Sequence, residues 1–110
     1  MDDSGAPGED YCGQSVRTTI GMIGGKWTML ILFELLQSER RYADLQRRVD
    51  GISQKVLSEE LKRLVTEGLV ARDVVPTTPP QVTYSITEHG RSLDTVFAAL
   101  HEWGHGHHDR

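Results

Sequence analysis

Gln54, Lys55 and Ser58 place an amide, an ammonium and a hydroxyl close together in the chain, and Ser53 puts a second hydroxyl just ahead of them. This is hydrogen-bonding chemistry: the amide donates and accepts, the ammonium only donates, and each hydroxyl does both. At about 100° per residue, Lys55, Glu59, Lys62 and Thr66 fall on one side of a helix with Ser58 beside them, and Leu57, Leu61 and Leu64 fall opposite. Taken alone, such a polar side is more often a solvated surface than a reading surface. Cys12 is the one cysteine, so any disulfide it forms must join a second molecule. Its place just before a predicted helix favours a thiolate, whereas Glu9 and Asp10 oppose one, which leaves a reactive and an incidental thiol equally open. His101 and His105 stand four apart with Glu102 between them, a spacing able to share a zinc ion. Gly104 and Gly106 loosen that backbone and no cysteine is near, so a solvated tail is expected there, with no metal and no cofactor. No nucleophile elbow or dinucleotide fingerprint occurs, and Gly24-Gly25-Lys26 lacks the upstream glycine of a phosphate-binding loop, so an enzyme is not expected.

The elements that must position these groups can be read from apolar spacing. The 110 residues, 37% apolar and 25% charged, suffice for one ordinary globular core. Residues 1–11 are acidic and rich in Gly and Pro and read as a flexible tail; 12–104 read as the folded domain, and 105–110 as a flexible histidine-rich tail. Val16, Ile20 and Ile23 define a first helix from Ser15, ended by Gly24-Gly25. Lys26 to Gln37 is apolar nearly all round and belongs at the centre of the core. Arg40-Arg41 can pair as a minor strand, and Tyr42, Leu45 and Val49 give a short third helix. Asp50-Gly51 is a turn, Ser53 caps a fourth helix from Gln54 to Glu67, and Gly68 stops it. Leu69 to Val75 and Val82 to Thr87 form a hairpin around a proline-rich tip. Thr87 caps a last helix whose stripe is Leu93, Val96, Phe97, Leu100 and Trp103. This order predicts a mainly α fold with a small β-hairpin, a winged helix-turn-helix.

A short helix, a tight turn and an amphipathic helix with a polar outer side are the parts of a reader of double-stranded DNA. The net charge of -4 opposes a phosphate partner, but its distribution does not. Residues 1–11 hold four acids and no base, whereas Arg40 to Arg72 holds eight bases against five acids. Base contact is assigned to Gln54, Lys55 and Ser58: glutamine can pair with adenine, lysine with guanine or a phosphate, and serine with either kind of group. Ser53, at the helix start, and Arg40, Arg41, Arg47 and Lys62 would hold the backbone without reading sequence. Glu59, on the same outer side, counts against DNA. The longest apolar run, Met29 to Phe33, is too short for a bilayer, and the start of the chain lacks the features of a secretory signal, so cytoplasmic residence without membrane contact is expected. A winged-helix module for protein contact and a metal-responsive regulator using the terminal histidines are the rival readings.

GGKWTMLIL at 24–32, GISQKVLSEELKRLVTEGLV at 51–70 and PPQVTYSITEHGRSL at 79–93 resemble, in order and spacing, the HxlR family of winged-helix transcriptional regulators, relatives of the MarR group. The resemblance runs from about Cys12 to Trp103. It implies a regulator, more often a repressor, that binds a near-palindromic operator. It also implies a homodimer built from the terminal helices, with Val16, Ile20, Leu93, Val96, Phe97, Leu100 and Trp103 at its interface. A wing around Thr77 to Gln81 would set Thr77 and Thr78 against the DNA backbone. Cys12 resembles the N-terminal cysteine through which some members sense oxidants, which makes an oxidant or small molecule the implied effector. Two departures, a wing tip without a cation and an acidic overall charge, imply weak or salt-sensitive DNA binding.

Overall fold

The computed structural model describes residues 13–108; the acidic tail and Cys12 lie outside the described residues. Helix α1 spans Gly13–Ile23 and α2 spans Lys26–Gln37, followed by strand β1 at Arg40–Arg41 and helix α3 at Tyr42–Arg48. Helix α4 spans Gln54–Thr66, β2 Val70–Val75, β3 Gln81–Ile86, α5 Glu88–Arg91 and α6 Asp94–His108. The arrangement is a helix-turn-helix followed by a hairpin, the winged-helix fold.

Helix α2 is the hub, because its apolar residues recur on every side: Ile31, Leu32 and Leu35 are fully enclosed. Around it pack Leu45 and Val49 from the α3 segment, Leu57, Leu61 and Leu64 from α4, and Leu69, Val70 and Tyr84 from the sheet side. Each such side chain contributes about 1.5–3 kcal/mol relative to exposure. The sheet is antiparallel in the order β1-β3-β2, with Val70 opposite Ile86 and Val75 opposite Gln81. Arg40 pairs with Tyr84 and Arg41 with Thr83, so the two-residue strand is real and fastens the start of α3 to the hairpin. Two turns require glycine: Gly51 (φ 86°) and Gly68 (φ 79°) adopt left-handed backbone before and after α4.

Three boundaries differ by more than one residue from those expected. Helix α1 begins at Gly13, two residues before Ser15. Thr87 caps α5 alone, its hydroxyl accepting from the Gly90 N–H at 2.9 Å, and Ser92 and Leu93 form a turn before α6 starts. Helix α6 continues past Gly104 to His108, where fraying was expected. Ring stacking one helical turn apart supports that end: His101 lies on His105 (6.0 Å between centroids) and Trp103 on His107 (5.1 Å). No single helix among the described residues is long and apolar enough to cross a membrane.

Candidate nucleic-acid interface

The outer side of α4 is built from its N-terminus upward. The Ser53 hydroxyl accepts from the Val56 N–H (3.1 Å), which caps the helix as its type and position predict. With Leu57, Leu61 and Leu64 buried, Gln54, Lys55, Ser58, Glu59, Lys62 and Thr66 are all exposed, as the wheel required. A residue that apolar spacing assigns only to the core also bears on this surface. Tyr42, the first residue of α3, donates its hydroxyl proton to the Gln54 main-chain carbonyl (3.0 Å) and meets the Ser58 hydroxyl at 2.8 Å.

The cations separate into two groups. Arg40 is turned inward: its side chain is 12% exposed and paired with Glu34 (3.4 Å) and Asp44 (3.6 Å). Arg40 is thus neutralised by Asp44 and by Glu34, the only acid of α2, which makes it a poorer phosphate partner than Arg41, although both line one groove. Arg47 is exposed but holds Asp44 at 2.5 Å, and Arg48 holds the other Asp44 oxygen at 3.3 Å. Partial desolvation pushes the Asp44 carboxyl up, but hydrogen bonds and attraction from Arg47 and Arg48 outweigh it and hold its pKa below the usual value. Arg41 and Arg47 line that groove with Arg40, Asp44, Gln81 and Thr83 beside the tip end of the hairpin. Lys62 lines another, of about 280 Å³, between α4 and the sheet, where it is joined by Arg72. Arg72 was missed as a backbone-contact candidate because its strand position hid that it faces the same groove as Lys62. Thr77 and Thr78 are exposed at the tip, and the Thr77 hydroxyl donates to the Pro79 carbonyl (2.7 Å).

Helix α4 is seated by a polar joint that the apolar pattern did not reveal. Arg63 donates to the Met22 carbonyl of α1 (3.1 Å), the Thr28 hydroxyl of α2 (2.9 Å), Glu60 (3.1 Å) and Glu67 (3.1 Å). Thr28, 2% exposed, in turn donates to Glu60. Burial disfavours the Arg63 charge, but Glu60 and Glu67 more than offset it and its pKa is raised. The discernible signal was Thr28, a buried hydroxyl on an otherwise apolar helix, which needs a partner.

Of the seven positions implied for a dimer contact, Val16, Ile20, Val96, Leu100 and Trp103 are exposed, Ile20 at 61% and Trp103 at 72%. Leu93 and Phe97 instead pack against the chain's own core. Leu30 and Phe33 of α2 are exposed as well. Phe33, Leu36, Phe97 and Ala98 line a groove of about 370 Å³ between α2 and α6. Among the described residues no three His, Cys, Asp or Glu side chains converge to hold a metal ion.

The sequence profile of the HxlR-like helix-turn-helix family matches residues 22–110. The chain belongs to this family. It is 35% identical over 102 residues to the HTH-type transcriptional regulator YdeP of Bacillus subtilis, a match covering 93% of this chain and 80% of that protein. Among solved structures it is similar to the HTH-type regulator YtcD, with 38% identity, TM-score 0.83, and 86% of this chain and 97% of that chain covered. It is also similar to the reduced redox regulator HypR, with 34% identity, TM-score 0.82, and 86% and 94% covered. This HxlR-like chain is thus a DNA-binding transcriptional regulator of the helix-turn-helix type, and its relatives are regulators.

Proposed function

We propose that two copies of the chain pair through the exposed apolar residues of α1 and α6, present their α4 helices to successive major grooves of a near-palindromic duplex, and repress transcription there. The observation that carries this reading is the exposure of Val16, Ile20, Val96, Leu100 and Trp103 on the two terminal helices while α4 keeps a wholly polar outer side. Large apolar residues left exposed on two elements are candidates for an association surface, and two-fold pairing is the commonest way to cover one. Gln54, Lys55 and Ser58 then contact bases, while Ser53, Arg41, Arg47, Lys62, Arg72, Thr77 and Thr78 hold the backbone. The regulator works in the cytoplasm, where its duplex is found. Sedimentation equilibrium together with fluorescence anisotropy tests the proposal: a dimer that binds duplex DNA with affinity falling steeply as salt rises supports it. A monomer at micromolar concentration, or binding indifferent to salt, refutes it.

The effector in this reading is an oxidant acting at Cys12, in keeping with the similarity to HypR, which is named as a redox regulator. Two Cys12 thiols, one from each copy, give up two electrons and two protons to a reagent such as diamide and form one disulfide between the copies. Non-reducing electrophoresis after diamide should show a covalent dimer, lost in Cys12→Ser; an unmodified thiol on mass spectrometry removes the redox part. Small-molecule response is the second reading, favoured by the groove between α2 and α6, where Phe33, Leu36, Phe97 and Ala98 stand with Gln37, Asp94, His101 and Glu102.

A further inference from the structure

The Tyr42 hydroxyl lies 3.0 Å from the Gln54 carbonyl oxygen and 2.8 Å from the Ser58 hydroxyl. Three oxygens and two protons satisfy both contacts in only one arrangement. A carbonyl can only accept, so the Tyr42 proton must go to Gln54; otherwise two lone-pair oxygens would face each other at hydrogen-bond distance. With that proton committed, the tyrosine oxygen can only accept, and the second contact must be a donation from Ser58 to Tyr42. Ser58 has one hydroxyl proton, so what it keeps for any other partner is lone pairs alone. The phenol cannot swing away freely, because Tyr42 is half-buried and packed against the core at the start of α3.

We propose that Tyr42 is a specificity-determining residue. By fixing the Ser58 proton it converts a hydroxyl that could read either kind of group into a pure acceptor exposed on the outer side of α4. Ser58 then selects a base whose major-groove edge offers an amine, adenine or cytosine on the contacted strand. It disfavours guanine and thymine, whose edges offer acceptors. This rests on the reading of α4 as the recognition helix.

The test is selection from a randomised duplex pool by the full chain and by Tyr42→Phe, Ser58→Ala and the double variant, each first checked for an unchanged thermal transition. Phenylalanine keeps the ring and its packing and removes only the hydroxyl. The wild-type protein should enrich a site in which one base pair per half is preferred by about three- to tenfold, the worth of one hydrogen bond, and replacing its adenine by purine or its cytosine by 2-pyrimidinone, which removes the major-groove amine, should abolish that preference. Ser58→Ala should flatten that position and no other, which locates it. Tyr42→Phe should flatten the same position, because the freed Ser58 proton can then serve guanine or thymine, and the double variant should add nothing. If the wild-type protein enriches a site but removing the major-groove amine from the pair lost in Ser58→Ala leaves its affinity unchanged, the proposal is overturned while the DNA reading stands. The proposal is likewise overturned if Ser58→Ala changes no position, or if Tyr42→Phe leaves the preference intact. Failure of the wild-type protein to enrich any sequence overturns the DNA reading itself, and this proposal with it.

Discussion

Replacing Arg63 by methionine keeps the apolar stem and removes the guanidinium that seats α4. The expected cost follows from its four partners. Glu60 and Glu67 lie three and four residues away on the same helix and are a quarter or more exposed, so those pairs contribute only about 0.3–0.5 kcal/mol each. The Met22 carbonyl and the Thr28 hydroxyl belong to other helices and are part-buried; hydrogen bonds of this charged kind contribute about 1.5–3 kcal/mol when fully enclosed, and partial exposure of Arg63 reduces that to about 1 kcal/mol each. The total is about 2–3 kcal/mol, equivalent to a lowering of Tm by about 10 °C or more in a domain of this size. Urea titration is the assay, at one fixed chain concentration because association would shift the midpoint. The slope should be unchanged and the midpoint lower. In a double-mutant cycle with Thr28→Val, the coupling should be about 0.5–2 kcal/mol. A midpoint loss worth less than about 0.5 kcal/mol would show that the joint is a surface feature.

Leu61→Ala, at a fully enclosed site on α4, should cost about 2–5 kcal/mol by the same titration, and a near-neutral result would mean the helix is not seated as described. The Asp44 pKa is held low in the folded chain, so its pairing stabilises the fold above the unfolded carboxylate pKa of about 4 and ceases to do so as pH falls through the lower folded value. Asp44→Asn should therefore be less stable than wild type at neutral pH, with the gap closing below about pH 4; a gap independent of pH would remove that account. Lys62→Ala and Arg72→Ala should each lower the slope of log affinity against log salt by about 1 on random-sequence duplex, leaving the preferred sequence of a selected site unchanged. A change in preferred sequence without a change in slope would reassign them to base contact.

Helix periodicity, the Asp50-Gly51 turn, the Ser53 cap and the proline-bounded hairpin were legible because each is a local rule satisfied within a few residues. The inner and outer sides of α4 followed from the same rules, which is why Gln54, Lys55 and Ser58 stand where the wheel put them. What escaped was cross-element chemistry. Arg40 counted as a free cation in the sequence, yet Asp44 four residues on and Glu34 on the apolar helix claim it. The i, i+4 spacing with Asp44 was visible, but the Glu34 contact crosses from α2 to β1 and depends on the fold. Tyr42 read as an apolar position, and its hydroxyl acquires a role only once α3 lies against α4. The extension of α6 to His108, along which His101 stacks on His105 and Trp103 on His107, was masked by the two glycines.

The same pairings resolve the conflict between an acidic chain and an anionic partner. Between Arg40 and Arg72, Arg40, Arg47, Arg48 and Arg63 are bound to Asp44, Glu34, Glu60 and Glu67. Their fields largely cancel within a few ångströms, so the acids project little charge, and of these arginines only Arg47, 73% exposed, is placed to exchange its acid for a phosphate. In that segment the ionic side chains outside any such pair are Arg41, Lys55, Lys62 and Arg72 on one side of the balance, and Asp50 and Glu59 on the other. A duplex meeting this surface therefore encounters a positive excess, although the whole chain carries -4. The excess is small, since a phosphate backbone is held by counting such unpaired cations and each adds about one released counterion. Affinity for DNA of arbitrary sequence must then be weak for a single chain. In the proposed reading two copies act together and base contacts add to the electrostatic hold, so the apolar residues of α1 and α6 and the polar side of α4 serve one end.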